Sequence, residues 1–189
     1  YSTDIDFYVR AIDNDGNVEP SPAYLKVPLI NSPPTASLID ERGPGDTVFI
    51  AATFFWTAND PDGQSTLSEV QMKINDGPWV NIDKNQNLIT FLPDTATSSG
   101  QAVSSVYYGT NTAPSQLTIN GLRVNDTNRV YIKTLDIAES ESIIDTSNVF
   151  YFKSKTPGIS LLWVNGHNET IAPFYKGLLD ANTLSYDVL

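Results

Sequence analysis

Two short acidic turns carry the residues best suited to hold a metal ion. The segment DNDGN places Asp13, Asp15 and Asn17 at alternate positions, and NDPDG places Asp60 and Asp62 two positions apart. Carboxylate and amide oxygens are ligands that Ca²⁺ prefers, although neither turn has the spacing of an EF-hand loop. Both turns are therefore candidate calcium sites. The alternative is that these side chains hydrogen-bond the backbone of their own turn, which is a common role of Asp and Asn.

Three aromatic residues are candidates for stacking against a sugar ring. Trp79 follows a predicted hairpin turn, and Tyr107 and Tyr108 are neighbours in a long irregular segment. Successive residues of a strand point to opposite faces, so at most one of the two tyrosines joins a given surface patch. Packing in the core is the alternative role of each ring.

The sequence offers little for catalysis. His167 is the single histidine, and the chain has no cysteine, so thiolate nucleophiles and sulfur-ligated metals are excluded. His167 follows a predicted buried strand, at the end where α/β sheets place ligands, yet no G-x-S-x-G motif lies nearby to supply a nucleophile. We expect a solvated loop histidine, no catalytic residues and no cofactor other than calcium.

The charge and composition restrict the partners. The formal net charge is −11, which repels nucleic acids and anionic lipid surfaces. No run of 18 apolar residues is present, so we expect no membrane insertion. The absence of cysteine suits a bacterial or archaeal extracellular or cell-surface protein, whose partner would be a protein or a polysaccharide.

The spacing of apolar residues predicts strands over most of the chain. Residues 7–11 and 23–30 read as two antiparallel strands, and NDG at 75–77 predicts a hairpin with a primed turn. Residues 83–115 are mostly polar, with short apolar islands, and are predicted to form a long loop with one or two edge strands. After residue 156, an apolar run and SYDVL predict two strands, and the helical stripe between them consists of Ile171, Phe174, Tyr175, Leu178 and Leu179. Thr170 is the expected N-cap of this helix and Asn182 its expected stop, so the segment is predicted to be strand–helix–strand.

Two stretches share one pattern. FYVRAID at 7–13 and VYIKTLD at 130–136 share a tyrosine and an aspartate at equivalent positions and have three further pairs of the same type, and each is followed by a polar turn and another strand. Both resemble the sixth strand and its exit in bacterial fibronectin type III-like domains, and FFWTANDPDG resembles the second strand, which implies that Trp56 is the core tryptophan. Ile5 and Asn128 stand where that family usually has its corner tyrosine.

These observations predict a mainly β fold: an immunoglobulin-like (fibronectin type III-like) antiparallel β-sandwich with a short C-terminal strand–helix–strand segment. The expected division is a strand pair from a truncated sandwich at 1–30, a Pro/Gly-rich linker at 31–46, a complete sandwich at 47–155 and the start of an α/β domain at 156–189.

The expected function is a non-catalytic structural or adhesive module of a larger extracellular protein. The alternative is an accessory, carbohydrate-binding part of a secreted hydrolase whose catalytic domain lies beyond residue 189. Open strand edges predict self-association.

Overall fold

The computed structural model describes residues 2–94, 101–156, 158–159, 161–163 and 172–188. The described chain is mainly β, as predicted, with a single α-helix near its C-terminal end. The strands of the first half are β1 (Ser2–Val9), β2 (Ala23–Ile30), β3 (Thr35–Leu38), β4 (Thr47–Phe49), β5 (Ala52–Asn59), β6 (Leu67–Ile74) and β7 (Val80–Ile82). Those of the second half are β8 (Leu88–Pro93), β9 (Gln101–Tyr108), β10 (Thr118–Arg123), β11 (Asp126–Asn128), β12 (Val130–Asp136), β13 (Asp145–Thr146), β14 (Phe150–Lys153), β15 (Leu161–Trp163) and β16 (Tyr186–Val188).

Strands β1 and β2 form an antiparallel pair of their own, as the sequence predicted. Two 3₁₀ turns, Asp40–Arg42 and Gln64–Thr66, lie in the connections that follow.

The first sheet of the sandwich has the strand order β10-β9-β8-β5-β3. Strand β5 lies between β8 and β3, and its residues Ala52, Phe54 and Trp56 point inward at alternate positions and are buried. Trp56 is 1% exposed, which agrees with its expected role in the core.

The segment predicted as a linker, 31–46, contains the first strand of this sheet. Strand β3 pairs with β5 from Thr35↔Asn59 to Leu38↔Trp56, and Leu38 belongs to the buried core. Residues 31–46 are therefore not a linker throughout, while the division of the chain into domains stays a prediction.

The sequence predicted a long loop with one or two edge strands at 83–115; two strands, β8 and β9, do lie in this segment, but neither is an edge strand. Strand β8 lies between β5 and β9 and is therefore internal to the sheet. Ile89, Phe91 and Val106 of this segment are fully buried. The alternation of apolar residues in β8 was short and lay among polar residues, so its burial depends on neighbours that are distant in sequence.

The second layer is built from two sets of strands. One has the order β13-β12-β6-β7, and the other has the order β11-β14-β4, with β4 parallel to β14. The side chains of β12 alternate strictly, so that Val130, Ile132 and Thr134 are buried while the residues between them are half-buried.

The aromatic core joins the two layers. The ring of Phe54 lies 5.6 Å from that of Phe91 on the first sheet and 5.5 Å from that of Phe150 on β14. Such tilted and edge-on pairs are the favoured arrangements of aromatic rings, and the Phe54–Phe150 pair is the one that joins the two layers.

The hairpin predicted at NDG is confirmed, because β6 and β7 pair antiparallel up to Met72↔Val80. The sequence predicted a primed turn without its type, and type I′ is excluded because it needs positive φ at both central residues. Asn75 has φ +49°, but Asp76 does not have a positive φ. The loop instead packs tightly on β10: a Cβ on Gly77 would meet the carbonyl oxygen of Asn120, and one on Gly121 would meet that of Ile74.

The C-terminal segment forms the predicted strand–helix–strand. Strands β15 and β16 are parallel, and helix α1 (Ala172–Ala181) lies between them in sequence. Asn182 follows the last helical residue, as predicted. Phe174, Tyr175 and Leu178 remain largely exposed, so the predicted apolar stripe is not covered by the described residues. The predicted helix cap at Thr170 and Ile171 lie outside the described residues. No helix in the described part is long and apolar enough to cross a membrane.

Candidate functional site

The carboxylate of Asp13 caps its own turn. Its Oδ1 accepts hydrogen bonds from the backbone N–H groups of Asp15 at 2.9 Å and Asn17 at 2.8 Å, and its Oδ2 accepts one from the Asn17 side-chain amide at 2.8 Å. These bonds, led by the Asn17 side chain, lower the pKa of Asp13. The geometry is that of the turn-capping interpretation, because both oxygens already have donors.

The same turn recurs around Asp136, 123 positions later. Asp136 Oδ1 accepts the backbone N–H groups of Ala138 and Ser140, each at 2.8 Å, which are again the second and fourth residues after the aspartate. The third residue after each aspartate, Gly16 or Glu139, has a positive φ. The likeness that the sequence showed in residue types therefore extends to the hydrogen bonds.

The pairing of the flanking strands repeats as well. Thr3↔Leu29, Asp4↔Pro28 and Ile5↔Val27 join β1 to β2. Asp126↔Phe152, Thr127↔Tyr151 and Asn128↔Phe150 join β11 to β14, with every residue shifted by 123 positions. The strand pair at the N-terminal end is thus built like the closing strands of the sandwich.

A joint connects this strand pair to the sandwich through side chains that sequence reasoning did not single out. Asn31 Nδ2 donates to Asp136 Oδ2 at 2.6 Å and to Ser140 Oγ at 2.9 Å. The backbone N–H of Ser32 donates to Asp62 Oδ2 at 2.5 Å. The Asn31 bond is the largest of the effects that lower the pKa of Asp136. In the sequence, the position of the polar residues Asn31 and Ser32 before the double proline is the feature that could have indicated this joint.

The second predicted calcium turn is only partly satisfied by its own backbone. Asp60 Oδ1 accepts the N–H of Asp62 at 2.9 Å, whereas Asp60 Oδ2 is buried and has no hydrogen-bond partner among the described residues. The described residues contain no group of three or more histidine or acidic side chains placed to hold a metal. Calcium binding at Asp60 and Asp62 therefore stays a prediction.

The residues predicted to bind a sugar do not form one surface. Trp79 lies beside β7, whereas Tyr107 and Tyr108 belong to β9 in the other sheet. Tyr108 packs against the core and its hydroxyl accepts the backbone N–H of Asp83 at 3.1 Å. Burial raises the pKa of Tyr108. Tyr107 is half-buried.

The ring of Trp79 is associated with lysines. The ammonium groups of Lys73 and Lys133 each lie 5.2 Å from its centroid, and Lys73 also lies 5.0 Å from the centroid of Tyr131. Lys133 pairs with Glu141 at 2.7 Å. These cation–π contacts use the ring that a sugar would need, and the two lysines and Tyr131 were not predicted from the sequence.

Asn128 lies at the centre of a buried amide network. It is 2% exposed. Its Oδ1 accepts hydrogen bonds from the N–H of Arg123 at 2.7 Å and from Asn75 Nδ2 at 2.8 Å, while its Nδ2 donates to the carbonyl oxygens of Arg123 and Asp126. The network links the tip of the β6–β7 hairpin to the chain that enters β12.

His167 lies outside the described residues.

No family model and no curated protein matches the chain. Among solved structures, the chain is similar to the fibronectin(III)-like modules of CbhA from Clostridium thermocellum, with 14% sequence identity over 88% of this chain and 68% of that chain and a TM-score of 0.39. The class that the coordinates themselves define is a mainly β protein with antiparallel sheets packed face to face.

Proposed function

We propose that the chain is a non-catalytic β-sandwich module that acts as a spacer or interaction domain of a larger extracellular protein. The observation that carries the proposal is the repeated turn: Asp13 and Asp136 make the same two backbone hydrogen bonds. Repetition of one structural unit along a chain is typical of modular proteins. The acidic, cysteine-free composition suits an extracellular spacer.

A spacer must resist being pulled at its ends, and the parallel pair β4–β14 suits that task. Tension from the N-terminal end reaches β4 once the short strand β3 has detached from β5, and the chain leaves the sandwich after β14. Strands β4 and β14 pair from Thr47↔Tyr151 to Phe49↔Lys153. Tension at the two ends pulls parallel neighbours in opposite directions along their axes. Their hydrogen bonds are then loaded together in shear rather than opened one after another.

Single-molecule pulling of the full chain by its two ends tests the spacer role. Unfolding of the sandwich should release about 400 Å of chain, at roughly 3.5 Å per residue, in one event at a well-defined force. Val48→Pro removes a backbone donor and disturbs the β4–β14 pairing, and should lower that force. Val80→Pro in the edge strand β7 is the matched control, and should leave the force nearly unchanged.

The two variants must first have a native-like circular dichroism spectrum. The role of β4–β14 in resisting tension would be contradicted if Val48→Pro, Val80→Pro and the natural chain unfolded at equal force. Sequential opening of the natural chain at low force would contradict it as well. The accessory carbohydrate-binding alternative has its own test. Binding on a glycan array that is lost in Trp79→Ala but kept in Tyr107→Ala would replace the spacer proposal.

A further inference from the structure

The strand pair β1–β2 has one apolar face and one polar face. Ile5, Phe7 and Val9 of β1 lie on the first face, and their partners in the pairing are Val27, Leu25 and Ala23 of β2. Phe7 is 51% exposed, Leu25 is 62% exposed and Val9 is 67% exposed. A face of this kind normally packs against another sheet.

The opposite face carries the polar contacts of the strand pair. Lys26 forms an ion pair with Asp4 at 2.7 Å, and the hydroxyl of Tyr24 donates to Asp6 at 2.7 Å. The ring of Tyr24 also lies 5.1 Å from that of Tyr8. These groups suit contact with water, so only the apolar face requires a partner.

The sandwich shows what covers the equivalent face. A shift of 123 positions places Ile5, Phe7, Val9 and Ala11 on Asn128, Val130, Ile132 and Thr134. All four of these later residues are buried. Val130 and Ile132 share one buried cluster with Leu38 of β3, Phe54 of β5 and Phe91 of β8. The covering surface is thus the apolar inner face of the β3–β5–β8 sheet.

We propose that the apolar face of β1–β2 is a docking surface for a sheet of the β3–β5–β8 type, so that the strand pair contributes the closing strands of a second sandwich. The inference rests on the proposed modular function and names the partner of this surface: an uncharged sheet face with large aliphatic and aromatic side chains. The inference is supported by the interface that β11 and β12 already form with the β3–β5–β8 sheet. The β1–β2 pair has the same pairing register as β11–β14, and the same turn follows β1 and β12.

The chain supplies its own test partner. A second copy of residues 35–123 is joined in front of Tyr1 of the full chain, because residue 124 corresponds to Tyr1 in the repeat. The extension holds the strands equivalent to β3, β5 and β8 but lacks closing strands. We expect it to fold on β1–β2, to protect the amides of residues 5–9 and 23–27 from hydrogen exchange at least tenfold, and to abolish binding of an apolar dye by this face.

Two double variants of the extended chain separate the faces. Phe7→Asp with Leu25→Asp on the apolar face should leave the extension unfolded and sensitive to protease. Asp6→Ser with Tyr24→Ser on the polar face is the matched control, and should keep it folded. An extension that stays unfolded in the parent sequence, or that folds equally well in both double variants, overturns the proposal.

Analytical sedimentation of the natural chain tests whether a second copy of the chain, rather than a sheet of the β3–β5–β8 type, covers the apolar face. A dimer that Phe7→Asp converts to a monomer would make a second copy of the chain the partner and would also overturn the proposal. The pulling experiment also loads β1 and β2, but the unfolding force that Val48→Pro lowers is that of the β4–β14 pair, so the spacer function and this docking surface can fail independently.

Discussion

The side-chain amide of Asn31 donates a hydrogen bond to the carboxylate of Asp136 at 2.6 Å, although the two residues are 105 positions apart. This bond ties the end of β2 to the turn after β12. Asn31→Ala should free the strand pair to reorient and should speed hydrogen exchange in residues 136–140. Asn17→Ala, which removes the corresponding donor of Asp13, is the matched control and should leave that exchange unchanged. Equal exchange in the natural chain and Asn31→Ala would contradict the role of the joint.

The same bond predicts a dependence of stability on pH. The Asn31 side chain and the backbone N–H groups of Ser140 and Ala138 lower the pKa of Asp136 below its usual value of 3.8. A carboxyl group whose pKa is lowered by folding stabilises the protein above its unfolded pKa, and this contribution is lost as the pH falls through the folded pKa. The thermal midpoint should therefore fall as the solution is acidified below about pH 4.

Asp136→Asn tests the source of that dependence. It keeps the shape of the side chain but removes the charge that the donors stabilise, so its thermal midpoint should be lower at neutral pH and should fall less on acidification. The change in thermal midpoint of Asn31→Ala on acidification should be intermediate between those of the natural chain and Asp136→Asn. Identical pH profiles for the natural chain and Asp136→Asn would assign the dependence to other carboxylates, of which Asp13 and Asp187 also have lowered pKa values.

The contact between the β6–β7 loop and β10 predicts a large effect of a single methyl group. A Cβ on Gly121, which has φ +112°, would clash with the carbonyl oxygen of Ile74. Gly121→Ala should therefore lower the free energy of unfolding by about 3 kcal/mol, since overpacking and a strained φ act together. Gly45→Ala, where a Cβ meets nothing within 4 Å, should change it by less than about 0.5 kcal/mol. Urea denaturation measures both, and equal effects would contradict the tight contact.

The sequence predicted the strands whose alternation is long and regular. Strand β12 has seven residues that alternate strictly between buried and half-buried positions, and such a pattern needs no knowledge of its neighbours. Strand β3 has four residues and follows a double proline, and β8 lies between polar stretches. Their place in the sheet is decided by pairing with β5, which local preference does not encode.

The candidate site divides in the same way. The cap of Asp13 is formed within five residues, so the sequence pattern indicated it. The contact of Asn31 with Asp136 and that of Trp79 with Lys73 and Lys133 join separate elements. Such contacts depend on the register of strands that are far apart in the chain, and no local pattern of residue types indicates them.

The buried network of Asn128 predicts a loss of stability without a loss of fold. Asn128→Ala removes the acceptor of Arg123 N–H and Asn75 Nδ2, and each of these half-buried donors loses a hydrogen bond. The free energy of unfolding should fall by about 1–3 kcal/mol. Asn87→Ala, at an exposed asparagine, is the control and should have almost no effect. Denaturation in urea with an unchanged m-value is the expected result, and an equal midpoint for both variants would contradict the network.

Calcium binding is predicted to depend on Asp60 rather than on Asp13. Both oxygens of Asp13 accept hydrogen bonds, whereas Asp60 Oδ2 has no partner among the described residues. A cation needs free oxygen lone pairs, and a buried carboxylate oxygen without a donor is the one that gains most from it. A calcium-dependent rise in the thermal midpoint should therefore persist in Asp13→Asn and disappear in Asp60→Asn. If neither calcium chloride nor a chelator changes the thermal midpoint of the natural chain, the prediction of calcium binding is wrong and both turns are backbone caps.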